Sequence, residues 1–326
     1  MIVLTHEDVA ALLPMTEAIE VVDAVMRRVS ARDVELPLRS VLPVGGANKM
    51  GVMPGSIGEP PCFGVKLISL FPGNADLGLS SHRGAMVLFE AETGGAVAMM
   101  DASLLTAVRT AAASAVATRA LAPEVCETLV LVGYGEQAEH HLTAMLAVRP
   151  SIRRVLVAGR SAEKAAAFAA HAAGEYPDVA FSSGTDLKAA VEQADILCTV
   201  TASATPIVMG DWVKPGAHAN IVGSSIPTMR EVDDRMVERG SIWVDYLPST
   251  LAQAGEVVDI IAAGQFSESA IKGEIGALLS GEIGGRGADD EITIYRSLGV
   301  AAQDLASAYH VYSRARDEGI GQPVRF

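Results

Sequence analysis

Cysteine, basic residues and long uncharged apolar runs are all scarce in this 326-residue chain. The three cysteines, Cys62, Cys126 and Cys198, are odd in number, widely spaced and each beside an apolar residue. That pattern suits packed, reduced thiols better than a disulfide framework. No stretch approaches the roughly 18 apolar residues that a membrane-spanning helix needs. The opening MIVLTHEDVAALLP lacks the basic start and apolar core of a secretory leader. A cytoplasmic protein without membrane attachment is therefore expected. Lys and Arg number 25 against 39 Asp and Glu, for a net charge of −14. Broad attraction to nucleic acid or an anionic bilayer is thereby excluded, and an anionic ligand would need a local cluster of cations. Internal repeats, low-complexity linkers and Cys/His spacings suited to a metal are also missing; the adjacent His140 and His141 point apart on a helix.

What is present favours an α/β protein of two domains: 50% hydrophobic residues and 31 glycines, in a chain long enough to bury a large core. Thr5 and Asp8 have capping-box spacing, and Pro14 stops the short helix that follows. A longer helix carries an apolar stripe of Ala18, Ile19, Val22, Val25, Met26 and Val29. From Leu36 to Ala102 short apolar segments broken by Gly and Pro read as antiparallel strands. SLLTAVRTAAASAVATRALA, free of Gly and Pro, reads as a helix connecting the domains. After Thr128 the pattern becomes strand, glycine turn, helix, strand, with further strands at DILCTV, HANIVG and SIWVDY, as in a parallel sheet covered by helices. The C-terminal stretch, with Val300, Leu305, Ala308 and Val311 at helical spacing, is expected to pack back on the first domain.

Within LVLVGYGEQA, Gly133, Gly135 and Ala138 have the spacing of a dinucleotide fingerprint, set between a predicted strand and a predicted helix. Gly133 would permit the tight turn and Gly135 the approach of a pyrophosphate to the backbone. Ala138 would let helix and sheet pack closely. Tyr134, Glu136 and Gln137 share the turn, and Thr110, Val200 and Thr201 complete the candidate cofactor set. The next strand ends at Arg160-Ser161, where an acidic residue would ordinarily hold the 2′-hydroxyl of NAD. A cation and a hydroxyl suit a 2′-phosphate instead, so NADP(H) is expected in preference to NAD(H).

Arg39, Lys66 and Arg109 lie in the apolar contexts LPLRSV, FGVKLI and TAVRTA. Burying a cation costs several kcal/mol unless it is paired. An anionic ligand, a carboxylate distant in sequence or an escape to solvent each meets that need. The last two are stronger alternatives for Arg39 than for Lys66 and Arg109.

GVKLISLFPGN, LSSHRG, LLTAVRTAAAS, VGYGEQA, GAHANIVGSSIP and ITIYRSLGVAAQD together resemble the ornithine cyclodeaminase/mu-crystallin family, in family order and over nearly the whole chain. The resemblance implies a Rossmann-type doubly wound parallel sheet domain, residues 113–299, inserted in a smaller α+β substrate and dimerisation domain. Residues 1–112 and a helix over 300–326 would form the latter. It implies that Arg39, Lys66 and Arg109 hold a substrate carboxylate, with Arg109 near the nicotinamide and Lys66 and Arg109 as the catalytic candidates. His82 joins as a substrate candidate, although a turn histidine bonded to backbone is the stronger reading. At Ser225 this chain departs from the cyclodeaminases it resembles, which carry a catalytic aspartate there. A serine hydroxyl is no general base near neutral pH without activation, so cyclising deamination is not expected. The expectation is an NADP(H)-dependent, homodimeric oxidoreductase of a small imino or amino acid. The alternatives are a cyclodeaminase-like ammonia lyase, or a mu-crystallin-like protein that binds a small ligand under cofactor control.

Overall fold

Thr5 and Asp8 form the expected capping box: the Asp8 amide donates to Thr5 Oγ1 at 3.2 Å and the Thr5 amide to Asp8 Oδ2 at 2.8 Å. These distances come from a computed structural model that describes residues 1–325, apart from the side chains at 75 and 76. The chain forms two units, Met1–Ala112 with the segment from Gly299 onward, and Ala113–Leu298.

In the first unit α1 (His6–Leu12) and α2 (Met15–Ser30) are separated at Pro14, and the α2 stripe from Ala18 to Val29 is buried. The strands are β1 (Ile2–Leu4), β2 (Val34–Glu35), β3 (Ser40–Gly45), β4 (Asn48–Ile57), β5 (Cys62–Leu70), β6 (His82–Glu90) and β7 (Ala96–Asp101). β4 to β7 form an antiparallel meander, the arrangement that short connections favour. β1 runs parallel to β7 and pairs on its other side with Gln322–Pro323. β2 and β3 both pair with β4 along its outer edge. The C-terminal helix Ala301–Glu318 belongs to this unit and buries Leu305, Ala308 and Val311.

The unit boundary falls inside α3 (Ala102–Leu121). In the second unit the strands are β8 (Thr128–Val132), β9 (Arg154–Ala158), β10 (Ala180–Gly184), β11 (Ile196–Thr199), β12 (His218–Ile221), β13 (Ser241–Val244), β14 (Gly273–Glu274) and β15 (Thr293–Arg296). They make one parallel sheet in the order β10-β9-β8-β11-β12-β15-β13-β14. β8 to β11 is the point where strand order reverses, which in a doubly wound sheet opens the crevice for a ligand. The order departs from simple progression at β15, which enters between β12 and β13. Thr293–Arg296 is a fully buried central strand that the sequence pattern did not mark.

Candidate active site

Lys66 is a consequence of strand alternation. Cys62, Gly64, Lys66 and Ile68 share the buried face of β5, so a lysine stands among core positions and is 1% exposed. Asp304, in the first turn of the C-terminal helix, is completely buried. Lys66 Nζ donates to Asp304 Oδ1 at 2.9 Å and lies 2.8 Å from Oδ2. Arg109 Nε donates to Asp304 Oδ1 at 2.8 Å, and Arg109 Nη1 donates to Gln303 Oε1 at 3.0 Å. Arg39 Nη2 donates to the Gly299 carbonyl at 2.6 Å.

Lys66 and Arg109 therefore share one carboxylate. Burial and the neighbouring Arg109 bring the Lys66 pKa down to about 7, with a smaller push from Arg39; Asp304 opposes them and only partly offsets the drop. Burial alone would raise the pKa of Asp304, but Arg109 and Lys66 outweigh it and hold the carboxyl below its usual range. The partner distant in sequence thus belongs to Lys66 and Arg109, the two cations for which the sequence makes it the weaker alternative. Asp304 was not singled out in the sequence. Its signal was its place among Val300, Ala308 and Val311 on one apolar helix stripe, where an unpaired carboxylate would be expensive.

His82 opens β6, keeps an exposed edge, and has Nδ1 3.0 Å from Ser81 Oγ. The protein packed around it, then the charge on Lys66, lower its pKa. Thr110 follows Arg109 on α3, its hydroxyl donating to the Thr106 carbonyl at 2.6 Å. Ser225, in the second unit, is half-buried beside the fully buried Ser224.

The glycine turn of the second unit has the form a dinucleotide requires. Gly133 has φ +120°, and a Cβ there would come within 3.0 Å of the Val200 carbonyl, which brings the ends of β8 and β11 together. Gly135 is the N-cap of α4 (Glu136–Val148); no side chain caps that end, and nothing lies within 4 Å of where a Cβ would project. Ala138 is fully buried against the sheet, and Glu136 and Gln137 are half-buried in the first turn. Open space before a helix N-terminus suits a pyrophosphate. Arg160 is exposed just past β9. Ser161 caps the next helix, Ala162–Glu175, its Oγ accepting from the Lys164 amide at 3.3 Å. Its own amide donates to Tyr134 Oη at 3.2 Å, with the Tyr134 ring packed over Gly159. Ser161 therefore has a structural duty in addition to the phosphate contact expected of it. Val200 donates its amide to the Val132 carbonyl at 3.0 Å, and Thr201 is gripped by Glu231, which sequence reading missed. Among the described residues no cluster of His, Cys, Asp or Glu is arranged to hold a metal ion, and no helix is long and apolar enough to cross a membrane.

The ornithine cyclodeaminase/mu-crystallin family model matches residues 1–319. The chain belongs to that family. Delta(1)-pyrroline-2-carboxylate reductase from Bacillus cereus is 33% identical over 328 residues, which cover 100% of each chain. Ketimine reductase mu-crystallin from Mus musculus is 35% identical over 277 residues, 85% of this chain and 84% of its own. The structure of Thermococcus litoralis Delta(1)-pyrroline-2-carboxylate reductase with NADH and L-proline has a TM-score of 0.96 at 30% identity, with 99% of this chain and 100% of that one covered. With its doubly wound nucleotide-binding unit, this chain shares the fold over its full length.

Proposed function

We propose that the chain is an oxidoreductase that moves hydride between a nicotinamide cofactor, NADP(H) in preference to NAD(H), and the α-carbon of a small imino or amino acid. The observation that carries this reading is the buried pairing of Lys66 and Arg109 with the single carboxylate of Asp304. Two cations on one carboxylate, with Arg39 contributing further positive potential at Lys66, leave an excess of charge that a substrate carboxylate can neutralise. The reductase names of the relatives, and the NADH and L-proline bound by the Thermococcus litoralis enzyme, support the same class of chemistry.

The cofactor, when bound, supplies or accepts the hydride. Protonated Lys66 Nζ donates to the imine nitrogen, which makes the adjacent carbon more electrophilic, and in the oxidative direction the neutral amine takes that proton back. A lysine pKa near 7 keeps both forms accessible close to neutrality. Arg109 and Arg39 grip the carboxylate, and His82 borders the substrate. Gly133, Gly135 and the N-terminus of α4 hold the pyrophosphate, and Arg160 meets the 2′-phosphate.

The protein works as a homodimer in the cytoplasm. Its three cysteines are buried as free thiols, as suits a reducing compartment. Leu38, Val41, Leu42 and Val44, on and just before edge strand β3, are between 39% and 57% exposed, an apolar edge that a second subunit would cover.

The deciding experiment presents cyclic and acyclic imino acids, generated in situ, together with NADPH. Loss of reduced-nicotinamide absorbance equal to the amino acid formed is the expected result. No cofactor consumption with imino acids, together with a cyclic amino acid and ammonia formed from a diamino acid and catalytic oxidised cofactor, would indicate a cyclodeaminase, and binding without product a ligand-binding protein.

A further inference from the structure

One buried carboxylate ties together the loops that follow β11 and β12. Glu231 has no solvent exposure. Its Oε2 accepts from Thr199 Oγ1 at 2.8 Å and from the Gly223 amide at 2.6 Å. Its Oε1 accepts from the Thr201 amide at 2.6 Å and from Thr201 Oγ1 at 2.7 Å. The Glu231 carbonyl closes the far end of the first loop by accepting from the amides of Ile207 at 2.9 Å and Val208 at 3.1 Å. Gly223 lies so close to the Thr201 backbone that a Cβ would overlap its nitrogen and carbonyl oxygen. From the other side Arg296 Nη2 donates to Ser224 O at 2.8 Å and Ser224 Oγ at 2.9 Å, and Arg296 is ion-paired with Glu256.

Residues 199–201 and 223–224 are thus fixed from beneath by buried charged groups. A buried carboxylate is costly, and an apolar side chain of similar volume would fill the space more cheaply. What the carboxylate adds is position, since each of its oxygens fixes one backbone amide and one hydroxyl. The location explains why position matters. In a doubly wound sheet the half before the switch point takes the adenosine side of a dinucleotide and the half after it takes the other side. Here β8, β9 and β10 form the first half, and β11 and β12 begin the second.

We propose that Glu231 is a positioning residue for the nicotinamide half of the cofactor, its carboxylate holding residues 199–201 and Gly223 in the geometry that this half requires. The inference rests on the nicotinamide-cofactor reading above. Glu231→Gln is the informative variant, because an amide supplies only one acceptor oxygen. In either orientation its NH₂ group must face the amide of Thr201 or of Gly223. Thr199→Val, which removes one buried hydroxyl from the same carboxylate, is the milder companion.

Binding of NADPH and of 2′,5′-ADP, which carries the adenosine half alone, is measured by calorimetry on each protein. For Glu231→Gln the expected result is NADPH affinity weakened about tenfold or more, with 2′,5′-ADP affinity unchanged within about twofold. Thr199→Val is expected to show the same selectivity at about two- to fivefold. NADPH binding unchanged in both variants overturns the proposal, as does an equal loss for both ligands, which would make Glu231 a support of the whole unit. If Glu231→Gln does not fold, Thr199→Val alone decides by the same comparison. Failure of the unmodified protein to bind either ligand would instead overturn the cofactor reading.

Discussion

Lys66 and Asp304 meet as a buried ion pair across 238 positions of sequence, with Nζ 2.9 Å from Oδ1 and 2.8 Å from Oδ2. Asp304 is the group that raises the Lys66 pKa against burial and Arg109. If protonated Lys66 drives imine reduction, kcat/KM must fall as pH rises through its pKa, about 7 in the free protein. Asp304→Asn removes the opposing charge, lowers that pKa further and moves the falling limb to lower pH by about a unit or more, each unit being roughly 1.4 kcal/mol. The same change leaves two cations less well paired and is expected to cost about 3–5 kcal/mol of stability. A folded Asp304→Asn enzyme whose pH profile has not moved would remove Lys66 from the proton-transfer step.

Lys66→Met abolishes turnover while leaving cofactor affinity nearly intact, because the lysine lies in the first unit and the dinucleotide turn in the second. Calorimetry with NADPH beside a turnover assay checks this. Turnover retained within about threefold would make Lys66 a structural cation only. Arg39→Ala acts through substrate KM instead, since a carboxylate contact made equally in ground and transition states is uniform binding.

The exposed guanidinium of Arg160 is the group proposed to discriminate between the two nicotinamide cofactors. Losing a charge-assisted hydrogen bond of roughly 1.5–3 kcal/mol, Arg160→Ala weakens NADPH by about one to two orders of magnitude and hardly changes NADH. Dissociation constants for both cofactors on both proteins are the measurement. Equal or better use of NADH by the unmodified enzyme counts against the assignment.

Leu42 is 57% exposed on β3, the strand proposed to meet a second subunit. Leu42→Asp places a charge on that apolar edge and shifts the protein toward monomer, as light scattering at micromolar concentration would record. A monomeric mass for the unmodified protein would refute the dimer.

Ser225 is expected to separate the two enzyme classes. Incubated with L-ornithine and oxidised cofactor, the protein is expected to release no ammonia and form no proline, because a hydroxyl lacks the basicity of the aspartate that the resemblance places there in cyclodeaminases. Mass spectrometry of the products checks this, and Ser225→Asp tests for a trace of gained activity. Robust proline formation by the unmodified protein would reverse the reading.

Features that depend on neighbours in sequence were legible without coordinates. The capping box at Thr5 and Asp8, the stripe of α2 and the strand-glycine-helix unit around Gly133 are set by helical spacing, turn conformation and alternation, all local properties. Lys66 stood out for the same reason, as a cation in an apolar strand. Its partner did not, since nothing within FGVKLI indicates which carboxylate the folded chain will bring to it.

The tertiary structure alone decided three matters. It placed β15 between β12 and β13, because parallel strands are joined by long crossovers that leave strand order free of sequence order. It gave Asp304 to both Lys66 and Arg109, turning two isolated buried cations into one cluster that a single carboxylate offsets in part. It put Glu231 beneath Thr201 and Gly223, where four donors converge on one carboxylate. Residue type announces that a buried charge needs a partner, but only the packing of distant segments supplies it.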